Sequence, residues 1–218
     1  MEQIFPGIFK RKGKLYTKSL LPGRTYFNEQ IFKENNIEFR QFSPYNSKFA
    51  AAIKRGLKQT GIKEGSIVLY LGSSHGYTVS FFSDIVGEKG VLFAVDVAPR
   101  VMRDLIFIAE DRKNIAPILA DASHPEEYKK RILQPDFLYQ DVAQRNQIEI
   151  FIKNIELLKK KSFAMLALKA KSIDISRKTE QIFDQAKSQL KKENINIIQS
   201  FTLDPYQRDH MFFLCKKY

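Results

Sequence analysis

The sequence has little cysteine, no long apolar run and a shortage of acidic residues. Its 218 residues include a single cysteine, Cys215, which excludes an intramolecular disulfide. The apolar context of Cys215, MFFLCKK, favours a buried strand residue over a nucleophile. No stretch approaches the ~18 apolar residues of a membrane span, and the opening MEQIFPGIFKRKGK lacks the apolar segment of a signal peptide. We therefore expect a cytoplasmic protein with no membrane contact.

The composition is that of a soluble globular protein with a cationic surface. Hydrophobic residues make up 44% of the chain and charged residues 28%, which argues against a disordered chain. Lys and Arg number 36 against 24 Asp and Glu, giving a net charge of +12. This excess favours a polyanionic partner such as a nucleic acid, because neutralising phosphates releases counterions. The alternative is that runs such as Lys159–Lys161 are only solvated helix ends.

From residue 66 onward, short apolar runs alternate with longer amphipathic stretches, a pattern typical of βα units in a mostly parallel sheet. Strands are predicted at 66–72, 91–97, 115–121, 137–142, 163–169, 195–201 and 211–217. The last two are separated by the turn-rich TLDPYQRDH, which indicates an antiparallel pair at one edge. The longest helix is predicted over 176–194. The fold class is therefore α/β, with a doubly wound sheet of seven strands that ends in a hairpin.

The first 45 residues have a different pattern. They mix β-prone aromatic residues with Pro-Gly and Gly-Lys turns and show no helical period, so we expect a small antiparallel β module. Ser47 is placed to cap a helix through KFAAAIKRGLK. The chain is therefore divided into an N-terminal module, 1–45, and a main domain, 46–218.

The first predicted strand of the main domain runs into a glycine-flanked loop, in the sequence VLYLGSSHGYTVS. Ligands of open α/β sheets bind at such strand ends. The Gly72–Gly76 spacing fits neither the dinucleotide fingerprint nor the phosphate loop, so a ligand without phosphates is favoured. Gly72 and Ser73 are the candidate binding residues here. His75 is expected to be an exposed loop tip, the alternative being a direct ligand contact.

Acidic residues close the next three predicted strands. Asp96 is placed to accept hydrogen bonds from two ribose hydroxyls, and Asp121-Ala122 to receive an adenine amino group. Asp141 follows the fourth strand. A single Asp at a strand end is usually a turn former or a helix cap, but three around one glycine loop favour a nucleoside site. A nucleoside held without phosphates points to S-adenosylmethionine as the cofactor.

Four polar residues are predicted to meet near that edge as a catalytic set: Lys48, Asp141, Lys169 and His210. Methyl transfer needs alignment of the acceptor and removal of its proton. Neighbouring cations lower the pKa of a lysine, and a carboxylate orients the ammonium group. Each residue also has an ordinary explanation: exposed lysines, or a hydrogen-bonded turn pair of His210 with Asp209. No metal is predicted, because the three histidines lack ligand spacing and the one cysteine has no thiolate partner.

Several motifs, in order along the chain, resemble fibrillarin in its short archaeal form. They are SKFAAAIKRGL, VLYLGSSHGYTVSFFSDIVG, GVLFAVDVAPRVMRDL, ILADASHPEEY, YQDVAQ, LALKAKSIDIS and LDPYQRDH. The resemblance covers nearly the whole chain and implies a Rossmann-like class I S-adenosylmethionine-dependent methyltransferase sheet with a small N-terminal β module.

The activity implied by the resemblance is 2′-O-methylation of ribose in ribosomal RNA and, in archaea, some transfer RNAs. The implied partners are a box C/D guide RNA, a Nop-type scaffold protein and a kink-turn-binding ribosomal-like protein. Two alternatives remain open. One is a non-catalytic assembly subunit that keeps the methyltransferase fold, and the other is a standalone methyltransferase acting on another substrate.

Motif matching also implies site residues. The catalytic set falls on the four residues already named. The implied cofactor contacts are Tyr77, Thr78, Asp96, Val97, Asp121, Ala122, Asp141, Val142, Ala143 and Gln144. The sequence departs from the family pattern at Ser73–Thr78, where small residues and two threonines are usual, at Asp96 in place of Glu, and at Arg145 in place of Pro. Tyr77 is expected either to replace a threonine hydroxyl or to stack near the methyl donor.

Overall fold

A computed structural model describes residues 1–217 as two β-sheets, with helices on both faces of the larger one. The smaller sheet contains β1 (Glu2–Phe5), β2 (Ile8–Arg11), β3 (Lys14–Lys18), β4 (Ile31–Glu34) and β5 (Ile37–Gln41). Its strands are all antiparallel, in the order β1-β2-β3-β5-β4. The β4–β5 turn places Asn35 and Asn36 at positive φ, as a two-residue hairpin turn requires. The predicted antiparallel module is confirmed.

The larger sheet has the predicted seven strands. They are β6 (Ile67–Leu71), β7 (Val91–Asp96), β8 (Ile115–Leu119), β9 (Phe137–Gln140), β10 (Phe163–Lys169), β11 (Asn196–Thr202) and β12 (His210–Lys216). The spatial order is β11-β12-β10-β9-β6-β7-β8, and β6 to β10 are mutually parallel. The hairpin β11–β12 is antiparallel, as predicted, and β12 is also antiparallel to β10. Strands β8 and β9 end two residues earlier than predicted, so Asp121 and Asp141 lie in the loops that follow.

The helices are α1 (Lys48–Lys54), α2 (Tyr77–Val86), α3 (Pro99–Asp111), α4 (Gln147–Ile155), α5 (Ala170–Ile173) and α6 (Thr179–Lys192). The predicted cap of α1 is present, because Ser47 Oγ accepts a hydrogen bond from Ala50 N at 3.3 Å. Helix α6 is shorter than the predicted 176–194, since Asp174 forms a turn with Ser176 and Lys178 is extended. No helix within residues 1–217 has the length and apolar character needed to cross a membrane.

Two hydrophobic cores cover the faces of the larger sheet, because successive strand residues point to opposite sides. Along β6, Val68 and Tyr70 enter the core formed with α1, α2 and α3. Leu69 and Leu71 enter the core formed with α4 and α6. Cys215 is fully buried in the second core, as predicted. Buried residues of the smaller sheet join the first core, so the domain boundary at residue 45 stays a prediction.

A buried charge network joins the smaller sheet to α2 and α3. The carboxylate of Asp84 on α2 lies 2.7 Å from Arg40 Nη1 and 2.8 Å from Arg112 Nη1, and all three side chains are fully buried. Thr17 Oγ1 donates a further hydrogen bond to Asp84 at 2.7 Å. Arg40 also pairs with Glu29 at 2.6 Å. The two sheets are therefore connected by charge as well as by apolar packing.

Candidate active site

The candidate site lies at the carboxyl ends of β6 and β9, where the strand order reverses. These neighbouring strands lead to opposite faces of the sheet, since α2 packs in the first core and α4 in the second. Such a point opens a crevice between the two connections. The crevice is narrow at Gly72 (φ +81°), where a Cβ atom would lie 2.2 Å from Asp141 O. Glycine is therefore required for this approach of the two loops.

The loop after β6 has the conformation of a tight turn into a helix. Ser74 has φ +49°, and Gly76 has φ +91° just before α2 begins. Ser73 Oγ is buried and has no hydrogen-bond partner within residues 1–217. His75 is exposed, as expected for a loop tip, and its Nδ1 lies 2.6 Å from Asp104 Oδ2 on α3. This pair ties the loop to the next helix.

A cavity of about 510 Å³ opens beside this loop, within the range of small-molecule sites, roughly 300–1,000 Å³. The predicted residues that line it are Lys48, Gly72, Asp96, Val97, Ala122, Asp141, Val142, Ala143, Gln144 and Lys169. Five other lining residues, Ser74, Val95, Ala98, Val101 and Ala120, were not predicted. Each lies within two positions of a predicted residue or on the first turn of α3. Nearness in sequence to a predicted residue was the only indication available, and it does not tell which side chains face the cavity.

Ser73, Tyr77 and Thr78 do not line this cavity. They line an adjoining one of about 440 Å³, whose wall also includes Lys48 and Asp141. The predicted binding residues are therefore spread over two cavities that share Lys48, Gly72 and Asp141 in their walls.

The hydroxyls of Tyr77 and Thr78 form hydrogen bonds with the segment that precedes α1. Tyr77 Oη accepts a hydrogen bond from Ser43 N at 3.3 Å, and the Tyr77 ring packs edge-on against Phe27 at 5.2 Å. Thr78 Oγ1 donates to Ser47 Oγ at 3.1 Å. Both hydroxyls therefore already make a hydrogen bond within the protein. The predicted cofactor contact of these two residues stays a prediction.

The two acidic residues proposed for a nucleoside differ in their surroundings. Asp96 lines the cavity and accepts hydrogen bonds from Ser74 N at 2.8 Å and Ala98 N at 3.0 Å. A carboxylate offers about four lone-pair sites, so acceptor capacity remains for a ligand. Asp121 does not line the cavity. Its Oδ1 accepts from Gln144 Nε2 at 3.0 Å, so Asp121 holds a residue of the cavity wall.

The pKa of Asp121 reflects that environment. Burial raises its pKa, but hydrogen bonds from Ser123 and from Gln144 outweigh this effect, so the pKa is lowered overall. Asp121 is therefore a charged acceptor. The hydrogen bond from Gln144 to the ionised carboxylate is therefore charge-assisted.

The four predicted catalytic residues are brought together in two pairs, one by distance and one by strand pairing. Lys48 Nζ lies 2.8 Å from Asp141 Oδ2, although 93 positions separate the two residues. Lys169, at the end of β10, is paired in register with His210 at the start of β12. Lys169 lines the same cavity as the Lys48–Asp141 pair. The cavity wall thus carries two lysines, Lys48 and Lys169, and two carboxylates, Asp96 and Asp141, with the lysines and Asp141 grouped at one part of it.

His210 is held as a neutral imidazole. Its Nδ1 lies 2.6 Å from Arg208 O, and because a carbonyl can only accept, the Nδ1 carries the proton. The Nε2 is buried and has no partner within residues 1–217. Burial lowers the pKa of His210 most strongly, and the nearby Lys48 and Lys169 lower it further, against the opposing effects of Arg208 O and Asp141. The free Nε2 lone pair is thus available as a hydrogen-bond acceptor.

The alternative of a hydrogen-bonded pair of His210 with Asp209 is wrong, because His210 Nδ1 binds Arg208 O and Nε2 has no partner within residues 1–217, while Asp209 accepts from Thr179 Oγ1 at 3.2 Å. Gln147 is a site residue that sequence reasoning missed. Its fully buried amide accepts from Lys169 N at 2.9 Å and donates to Lys169 O at 3.1 Å. Gln147 therefore fixes the backbone of Lys169. A glutamine at the start of a helix carries no sequence signal for that contact.

The described residues offer ligands for a nucleoside but none for a metal ion: within residues 1–217, no three His, Cys, Asp or Glu side chains are grouped to hold one. The cavity combines a carboxylate with remaining acceptor capacity at Asp96, apolar side chains at Val97 and Val101, and the charged pair Lys48 and Asp141. This donor set fits a nucleoside with an attached polar chain.

Comparison with known proteins gives a consistent family. The family model described as Fibrillarin matches residues 1–218. The fibrillarin-like rRNA/tRNA 2′-O-methyltransferase of Pyrococcus abyssi is 42% identical over 219 residues, covering 98% of this chain and 96% of that protein.

Two solved structures are similar over nearly the whole chain. Aeropyrum pernix fibrillarin in complex with natively bound S-adenosyl-L-methionine has a TM-score of 0.90 and 37% identity, covering 98% of this chain and 96% of its own. A chain of a fibrillarin/Nop5p complex has a TM-score of 0.88 and 34% identity, with all of both chains covered.

Proposed function

The chain belongs to the fibrillarin family, and on that premise we propose that it is an RNA 2′-O-ribose methyltransferase acting on ribosomal and transfer RNA with S-adenosylmethionine as methyl donor. The observation that carries the proposal is the Lys48–Asp141 pair in the wall shared by two cavities. One cavity has the donor set of a nucleoside site, and we assign the acceptor ribose to the other.

S-adenosylmethionine, when bound, supplies an activated methyl group for in-line displacement. The protein must then hold the acceptor ribose and remove the proton of its 2′-hydroxyl. We assign the holding of the cofactor to Asp96, Val97, Ala122 and the loop Asp141–Gln144, with Gly72 permitting their approach. Asp121 acts on this site through Gln144.

The proton is removed within the cationic cluster. Asp141 orients the Lys48 ammonium group, and Lys169 adds a second positive charge that stabilises the developing alkoxide oxygen. His210 Nε2 is a buried, neutral acceptor beside the same cluster and can take a proton relayed by a lysine. The proposed division of labour is therefore orientation by Asp141, charge stabilisation by the lysines and acceptance by His210.

Sequence selection is assigned to partners rather than to this chain. A solved relative forms a complex with Nop5p, and we propose that this chain likewise binds a Nop-type scaffold protein. A box C/D guide RNA paired to the target, anchored by a kink-turn-binding protein, would present the nucleotide. The net charge of +12 supports an RNA-rich setting, because it favours phosphate contacts.

The test is a transfer assay with labelled methyl donor and a target RNA. The complete set contains this protein, a guide RNA, the scaffold protein and the kink-turn-binding protein, and matched reactions omit one component each. We expect methylation at one guide-selected nucleotide, lost when the guide is omitted or its pairing segment is scrambled. Equal methylation without the guide would contradict guided action and favour a standalone enzyme.

A second candidate is a non-catalytic assembly subunit with the same fold. The hydroxyls of Tyr77 and Thr78 favour it, because both are occupied by the N-terminal segment. Calorimetric titration of the purified protein with S-adenosylmethionine separates the two candidates. Saturable binding supports the enzyme, and its absence together with intact scaffold binding supports the assembly subunit.

A further inference from the structure

Tyr45 is a large aromatic side chain exposed at the border of the candidate active site. It is 68% exposed. It lies three positions before Lys48, and its neighbour Asn46 lines the cavity that contains Lys48 and Asp141. The mechanism above leaves this ring without a role. Exposed aromatic rings at the border of a site in which RNA reacts are common contacts for nucleotides.

The ring is held in place from the opposite loop. Its partner is Tyr206, with the ring centroids 5.4 Å apart and an angle of 69° between the planes. Gln207 Nε2 donates to Tyr45 O at 2.7 Å and to Pro44 O at 3.2 Å. These contacts join the segment before α1 to the loop between β11 and β12. Tyr45 is therefore exposed but preorganised, which lowers the entropic cost of a contact.

Both loops also carry the proposed reacting groups. The segment 43–47 leads directly into Lys48, and the loop 203–209 leads into His210, whose Nδ1 it binds through Arg208 O. A ligand bound to the Tyr45–Tyr206 pair would therefore lie close in the chain to both Lys48 and His210. The pair is held in a fixed position relative to these two residues.

We propose that the open ring of Tyr45 packs against a nucleotide of the RNA target strand next to the one that is methylated, with Tyr206 as the residue that positions the ring. This inference rests on the proposed function, which supplies the RNA. The contact is aromatic rather than ionic, because the loop 203–209 has mixed charge, with Arg208 and Asp204 both exposed. An aromatic contact tolerates any base, as a guide-directed enzyme needs.

The test compares Tyr45→Ala and Tyr45→Phe in the assembled complex, with Phe107→Ala as the control for loss of an exposed aromatic ring on α3. Tyr45→Ala is expected to lower kcat/KM for target RNA by about tenfold, the scale of losing one stacking contact. Tyr45→Phe and Phe107→Ala are expected to stay within about twofold of wild type. Donor affinity of the free enzyme and its thermal midpoint should be unchanged in all three. A Tyr45→Ala enzyme with wild-type kcat/KM overturns the inference.

A photocrosslink separates this inference from the proposed function, since it needs no turnover. Tyr45 is replaced by p-benzoylphenylalanine and the assembled complex is irradiated with target RNA labelled on that strand. A crosslink to the target strand within a few nucleotides of the guide-selected position supports the contact, even if the assembly were inactive. A crosslink only to the scaffold protein, or only to the guide strand, overturns it. Absence of methylation by the wild-type complex would instead count against the proposed function.

Discussion

Asp84→Asn tests whether the buried charge network holds the two sheets together. The Asp84 carboxylate accepts hydrogen bonds from Thr17 Oγ1, Leu20 N, Arg40 Nη1 and Arg112 Nη1, at 2.7–3.0 Å. Asparagine has nearly the same shape, but it is neutral and replaces one acceptor oxygen by a donor group. At least two of the four donors then face an NH₂ group or lose a charged partner.

The expected loss of unfolding free energy depends on which partners each arginine keeps in the Asp84→Asn variant. Arg40 keeps Glu29 at 2.6 Å, whereas Arg112 Nη1 keeps only the neutral Ser83 Oγ at 2.9 Å. Arg112 is fully buried, and its Nε and Nη2 have no hydrogen-bond partner within residues 1–217. Removing one partner of a buried ion pair costs about 3–5 kcal/mol, because the other charge stays buried and uncompensated. That is a large part of the roughly 5–15 kcal/mol by which domains are stable.

The assay is equilibrium unfolding in urea, followed by circular dichroism and by tyrosine fluorescence. Asp184→Asn on α6 is the matched control, since it makes the same chemical change in a side chain that is 76% exposed and pairs with Lys187 at 3.5 Å. The control should change the free energy of unfolding by less than about 0.5 kcal/mol. An Asp84→Asn loss below about 1 kcal/mol, with native circular dichroism, would refute the assigned role of the network.

Three further changes test the site itself. Gly72→Ala should weaken S-adenosylmethionine binding in calorimetry by about tenfold or more, because its Cβ would lie 2.2 Å from Asp141 O and φ is +81°; unchanged affinity would contradict the close approach. Lys169→Ala is expected to lower guided turnover by about 100-fold or more with an unchanged unfolding midpoint, and near-normal turnover would remove it from the mechanism. The pKa of His210 is lowered from 6.5 in the folded state. As the pH falls, the unfolded chain therefore binds the proton before the folded protein does, and the free energy of unfolding decreases below about pH 6.5. His210→Gln should therefore show a shallower loss of unfolding free energy over that acidic range, and identical slopes would contradict the assignment.

The order of elements was predictable because each rests on a local pattern. Alternation of apolar strands and amphipathic stretches indicated the parallel sheet, and the turn-rich TLDPYQRDH indicated the terminal hairpin. Strand direction placed Asp141 and Lys169 at the carboxyl edge, and both line the same cavity. The 2.8 Å contact of Lys48 with Asp141 depends in addition on how α1 packs against the sheet.

Other features of the site depend on packing between distant segments and have no local signature. Gln147 fixes Lys169 only because α4 lies against the end of β10. The family resemblance implied a cofactor contact for Tyr77, but no local pattern indicated that its hydroxyl accepts a hydrogen bond from Ser43 N, 34 positions earlier. Asp84 lies in an apolar helix segment, where the sequence alone indicates nothing about two arginines from other elements.

These long-range contacts change what the N-terminal sheet contributes. From composition it resembled an appended module, but the segment between its last strand and α1 carries Ser43, Tyr45 and Ser47, which contact or border the site. The sheet is joined to α2 by the Asp84 network, and α2 begins at Tyr77 on the cavity wall. A shift of the sheet relative to α2 would therefore move Ser43 away from Tyr77 and displace Lys48 from Asp141. The N-terminal sheet is thus part of the structure that sets the position of Lys48, and we expect the charge at Asp84 to affect the proposed catalytic cluster through position rather than through contact.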